Sequence, residues 1–213
     1  MNSLFAIRSL SDGLVIWLVS VAAIGALAQG AINFDANPWS NGTDYYERGM
    51  GFHVVLPWGG SSHDDMLVVP PNAGNNLPQN STPYMIFYQQ LNPYDYVVFN
   101  LTSGSVFGLT SVDLADPSAP SYSLLPITFV GFRADGSIVK QTFTTPGGGA
   151  NSFLTYQFGP DFASGLLSVQ IDAPRWAVDN LVWVPEPTTW ALLVVGVGML
   201  SYVWFRSSKK QHR

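Results

Sequence analysis

Residues 127–144 read ITFVGFRADGSIVKQTFT. Two runs rich in β-branched and aromatic residues flank Asp135-Gly136, a pair that supplies the positive φ of a tight turn. Each run alternates apolar with polar positions, the period of a half-buried strand. The stretch predicts a β-hairpin, and the same signal recurs outward from it. AINFD (31–35), GFHVVL (51–56), YMIFYQQL (84–91), YVVFNLT (96–102) and SVFGLTSVDLA (105–115) precede the hairpin; FLTYQF (153–158), LLSVQID (166–172) and WAVDNLVW (176–183) follow it. Gly, Pro, Asn and Asp separate these segments, and none reads as a long amphipathic helix. About ten strands without intervening helices predict an all-β protein, a two-sheet β-sandwich of the jelly-roll kind.

Three stretches break the pattern and are expected to be loops: 57–83, 116–126 and 145–152. The first exceeds the length of an ordinary connection, and a short MLVV strand is possible inside it. No repeat or linker divides residues 29–184, so one domain is expected there.

Between residues 29 and 187 four bases (Arg48, Arg133, Lys140 and Arg175) face thirteen acids, a formal charge of −9 against −5 for the whole chain. Such a surface argues against nucleic acid as a partner. The chain has no cysteine, which excludes disulfides, thiolate metal sites and a cysteine nucleophile. Stability must come from packing, alone or with a hard cation.

The two ends differ from the middle. Gly13–Ala28 is a charge-free apolar stretch preceded by Arg8 and closed by Ala26-Leu27-Ala28, the small-x-small pattern of signal-peptidase substrates. Residues 1–28 are expected to be a signal peptide, with an uncleaved anchor as the alternative. At the other end, Thr188–Phe205 gives eighteen residues without a charge, about 27 Å as a helix and close to a bilayer's hydrocarbon thickness. Arg206, Lys209, Lys210 and Arg213 follow with no acid, a positive excess that holds the short 206–213 tail in the cytoplasm. The expected topology is a single-pass membrane protein whose bulk lies outside.

Just ahead of the helix stands Val184-Pro185-Glu186-Pro187. Pro185 favours an extended chain, and Pro187 in a helix's first turn has no N–H to leave unsatisfied. Pro-Glu-Pro, an apolar helix and terminal bases together resemble a PEP-CTERM sorting signal, here spanning residues 185–213. The tail departs a little from that pattern, because Ser207 and Ser208 separate Arg206 from the lysines. The resemblance implies recognition of Pro185, Glu186 and Pro187 by an exosortase, an integral-membrane cysteine-type transpeptidase of Gram-negative bacteria whose surfaces carry exopolysaccharide. It also implies passage through the inner membrane to the cell surface or extracellular matrix. An ordinary proline-rich stalk above a permanent anchor is the alternative reading of the triplet.

INFD, FGLTSVDLA, the hairpin and WAVDNLVW together resemble, more loosely, carbohydrate-binding modules with a galactose-binding-like jelly roll. In those modules an Asp near the last strand helps hold a structural calcium; the matching residue is Asp179, with Asp35 as its expected oxygen-donating neighbour. The alternative is that Asp179-Asn180 satisfies backbone at a strand end.

For catalysis the residues offer little. Ser61–Asp65 reads SSHDD, but neighbours on one segment cannot converge as a triad, and no G-x-S-x-G elbow is present. A noncatalytic surface or matrix protein that binds exopolysaccharide is therefore expected. Trp39, Trp58, Tyr94, Tyr122 and Trp176, at or beside loops, are the candidate rings for stacking on sugars. The rival classes are a surface glycoside hydrolase or lyase, and a permanently anchored adhesin.

Overall fold

Alternation of apolar and polar residues translates directly into strands, each with one face inward. The computed structural model describes residues 30–36, 41–56, 66–71, 77–78, 80–88, 96–117, 124–145 and 153–186. The expected signal peptide (1–28), Pro187, the membrane helix (188–205) and the basic tail (206–213) lie outside them, as do Trp39, Trp58, Tyr94, Tyr122 and the SSHDD stretch. Among the described residues no helix is long and apolar enough to cross a membrane.

In chain order the strands are β1 (Gly30–Ile32), β2 (Asn41–Gly42), β3 (Asp44–Glu47), β4 (Met50–Val55), β5 (Met66–Val69), β6 (Tyr84–Tyr88), β7 (Tyr96–Leu101), β8 (Phe107–Ala115), β9 (Leu125–Arg133), β10 (Ile138–Thr145), β11 (Leu154–Gln157), β12 (Leu166–Asp172) and β13 (Arg175–Pro185). One 3-10 turn, Pro160–Phe162, precedes β12. All ten strands expected from the sequence are present, and MLVV in the long 57–83 stretch is β5. The hairpin forms as expected: β9 pairs with β10 from Ile138↔Phe132 to Thr145↔Leu125, with Gly136 at φ 83° in its turn.

Two layers result, and the fold is an all-β, jelly-roll-like sandwich. The first runs β3-β4-β7-β12-β9-β10, and the second runs β2-β5-β6-β13-β8-β11 with β1 also on β13. They meet at one corner through the single pair Leu166↔Phe107. Phe52, Phe99 and Phe129 from the first layer and Phe107, Leu114 and Trp176 from the second fill the space between. A smaller cluster of Val69, Tyr84, Ile86, Ala115 and Ala177 covers the outer side of the second layer.

Several residues bend the strands to fit. Asn180, at φ 46°, makes a bulge in β13, where the register with β8 shifts between Asp179 and Val182. Across the bulge the inward parity changes from Trp176 and Val178 to Leu181 and Trp183. A bulge does this because one extra residue moves all later side chains to the opposite face. Gly108 lets the carbonyl of Ala163 lie against β8, since a Cβ there would sit 1.9 Å from that oxygen.

Candidate functional site

The outer face of the six-stranded layer carries the clearest binding chemistry. Register places Asp44, His53, Val98, Gln170, Val130 and Lys140 in one line across all six strands. The adjoining line holds Tyr46, Gly51 and Asn100, with Phe132 and Ile138 farther along. Strand alternation turns these side chains outward, while Tyr45, Phe52, Phe99 and Val169 point into the core.

Tyr46 is the centre of this face. It is 57% exposed, and its ring lies over Gly51: a Cβ on that glycine would come 2.9 Å from Tyr46 Cε1 and 3.0 Å from His53 Nε2. Tyr46 meets His53 edge-on at 5.4 Å. His53 Nδ1 in turn donates to Asp44 Oδ1 at 2.5 Å. That bond, opposed by slight burial, holds the Asp44 carboxyl below the usual carboxylate value. The result is a solvent-facing ring beside a carboxylate–imidazole pair, with Asn100 two strands from the ring. An aromatic face against sugar C–H groups, with polar groups for hydroxyls, is the chemistry of saccharide recognition.

The sequence did not point to Tyr46, because DYYE is four residues long and shows only one alternation. Gly51 was the available signal, since glycine inside a strand marks space used by a neighbour. Trp176, a candidate from the sequence, proves to be core: it is fully buried and stacks on Phe87 at 5.6 Å. A β13 residue two positions before Val178 shares its inward face, so Trp176 presents no ring to a ligand.

Asp35 and Asp179 have different hydrogen-bond partners. Asp35 is exposed and accepts a bond from Asn33 Nδ2. Its charge reaches the Tyr45 hydroxyl, whose pKa is raised, foremost by burial. Asp179 is fully buried on the outer side of the second layer. It accepts from Asn80 Nδ2 (2.6 Å), Thr82 Oγ1 (2.8 Å), the Asn180 N–H (2.7 Å) and Asn180 Nδ2 (3.3 Å). As they stand, these bonds satisfy the Asp179 oxygens with N–H and O–H groups, and a cation there would have to displace them. Asp179 instead ties the 80–82 segment to the β13 bulge. Among the described residues no three His, Cys, Asp or Glu side chains gather as a metal site.

Of the Pro-Glu-Pro triplet, Pro185 and Glu186 are described. The sandwich was expected to end at residue 184, but β13 continues through Pro185, paired with Phe107. Glu186 is half-buried; its carboxylate accepts the Gly165 N–H, and its own N–H donates to Val106 O at 3.4 Å. A cleft of ≈ 220 Å³ adjoins it, lined by Gly49, Leu101–Ser103, Ser105, Val106, Trp183, Pro185 and Glu186.

No protein-family model matches the chain, and no curated protein sequence matches it. Among solved structures, a mutant of the family 29 carbohydrate-binding module CBM29-2 is similar at 17% identity, over 72% of this chain and 89% of that one, with a TM-score of 0.42. The C-terminal family 22 carbohydrate-binding module of Clostridium thermocellum Xyn10B is 11% identical over 75% of this chain and 95% of that one, with a TM-score of 0.38. An exo-β-agarase structure gives 9% identity over 75% of this chain and 25% of that one, with a TM-score of 0.43. Similarity at this level carries no conclusion about ligand or activity.

Proposed function

We propose that this protein is a noncatalytic, exported surface or matrix component whose sandwich binds exopolysaccharide on the Tyr46 face. The observation that carries the reading is the exposed Tyr46 ring, packed over Gly51 and edge-on to His53 beside Asp44. The line from Asp44 to Lys140 crosses six strands, which suits an extended polymer. Affinity electrophoresis of the intact chain in gels containing bacterial exopolysaccharide tests it. The parent should be retarded; Tyr46→Ala should lose retardation and Tyr46→Trp should keep it. Equal mobility of parent and Tyr46→Ala, both folded, would refute the site.

The sorting half of the proposal rests on the sequence of residues 185–213: export by the N-terminal segment, a single inner-membrane pass, and recognition of Pro185-Glu186-Pro187 by an exosortase. In a host carrying that enzyme, a tag after Gln29 should persist in the mature form while a tag after Arg213 is lost. Glu186→Ala should retain both tags. Retention of both by the parent would instead identify a permanent anchor.

A further inference from the structure

We propose that the folded sandwich masks its own sorting motif, so that an exosortase reaches Glu186 only when the end of β13 peels from β8. This deepens, and rests on, the sorting reading above. Recognition of an acidic residue requires donors around its carboxylate, and here the Gly165 N–H already occupies Glu186 Oε1. The Glu186 N–H is likewise directed at Val106 O, while Val184 and Pro185 pair with Gly108 and Phe107. One of the carboxylate's several lone pairs is thus taken, and the ladder holds the backbone of this segment against β8, so an enzyme that needs it extended in its own groove must first draw it off the sheet.

The seat for Glu186 is built by the fold rather than offered by a passing loop. Gly165 sits at φ 77°, and its carbonyl accepts the Ala134 N–H at 2.9 Å. Arg133 Nη2 donates to the carbonyls of Asp161 (3.1 Å) and Ser164 (3.4 Å), fixing the chain on the approach to Gly165. The strand end that docks there is the part of β13 best suited to open. Pro185 has no N–H for the ladder, and the ends of strands fray before their centres. Peeling frees Pro185 and Glu186 while β13 stays paired with β1 at Leu181–Trp183. Folding therefore delays processing, and the rate of opening sets the rate of release.

Two measurements on the full chain in lipid nanodiscs and in membranes test this. The first is hydrogen exchange at the Gly165 amide. Glu186→Ala should accelerate it by about tenfold, the loss expected for a bond to a charged acceptor; unchanged exchange would overturn the docking. The second is the rate of tail loss in exosortase-bearing membranes with the triplet intact. Asn and Asp both tolerate the left-handed backbone of Gly165, and a Cβ there would lie 3.7 Å from Arg133 Nε and 4.0 Å from Glu186 Oε1. G165D places a second carboxylate beside both: it repels the docked one and draws the guanidinium away from the Asp161 and Ser164 carbonyls, and it should be processed about fivefold faster than G165N, the neutral control for any cost of the side chain. Equal rates for the two, with the residue-165 amide exchanging faster in G165D than in G165N, would overturn the masking. A parent that never loses its tail, although Glu186→Ala changes Gly165 exchange, would remove the sorting reading and the masking together, leaving a purely structural contact.

Discussion

Asp179 lies directly across from Asp113 in the pairing of β13 with β8, and the side-chain amide of Asn180 donates to both, at 3.3 Å and 2.8 Å. Burial raises the Asp179 pKa from 3.8 to about 6, with Asp113 adding to the rise and the bonds from Thr82, Asn180 and Asn80 opposing it. Two like charges on neighbouring strands are tolerated because one of them is easily protonated and an amide stands between them.

Stability should therefore decline as pH rises through the window from about 4 to about 6. There the folded protein holds a proton that the unfolded chain has already lost, so raising the pH favours unfolding until both states are ionised. The difference between the two pKa values corresponds to roughly 3 kcal/mol. Thermal melts at pH 4.5 to 7.5 check this: the fall in Tm over that range should be clearly smaller in Asp179→Asn than in the parent.

Chelation should leave the melting temperature unchanged. The Asp179 oxygens already face four N–H or O–H groups, and a cation would have to displace them. A melt in EDTA against one in millimolar Ca²⁺ decides the matter; a rise with calcium that disappears in Asp179→Ala would reverse this conclusion.

Gly51→Ala should displace Tyr46 without unfolding the sheet. The new Cβ would meet the ends of two movable side chains, Tyr46 and His53, so the cost in stability should be about 1 kcal/mol or less. Polysaccharide affinity should fall by at least about fivefold, or roughly 1 kcal/mol. Retardation gels and denaturant melts on the same variant separate the two effects.

Trp176→Ala should do the opposite. Removing a fully buried ring that stacks on Phe87 leaves a cavity costing about 3–5 kcal/mol. At temperatures where the variant remains folded, retardation by polysaccharide should match the parent.

Most of the strands were legible in the sequence because alternation and turn residues are local signals; β2 and β3, two and four residues long, were not. Even the irregular β8 and β13 could be read, although their parity changes partway along. What determines the site is not local. Tyr46 depends on a glycine across a hairpin, and the burial of Trp176 depends on facing Phe87 of β6. Glu186 reads as a free residue after a finished domain, since nothing nearby announces Gly165, twenty-one positions earlier, as its partner. Asp179 likewise takes its environment from Asn80 and Thr82, nearly a hundred residues away.

Strand β3 ends the order of the six-stranded layer, and its inward side chains are Tyr45 and Glu47. The buried Glu47 carboxylate accepts the Tyr45 hydroxyl at 2.7 Å and lies 3.6 Å from Arg48 Nε. An open sheet edge invites another copy to add its own strand. Here the edge strand carries an inward-pointing charge, Glu47, next to the exposed Arg48, and inward charges at an edge are among the features that disfavour strand addition. Crowded at high density, copies of this protein are thereby discouraged from fusing edge to edge into fibres along this side, and can stand close together as separate molecules.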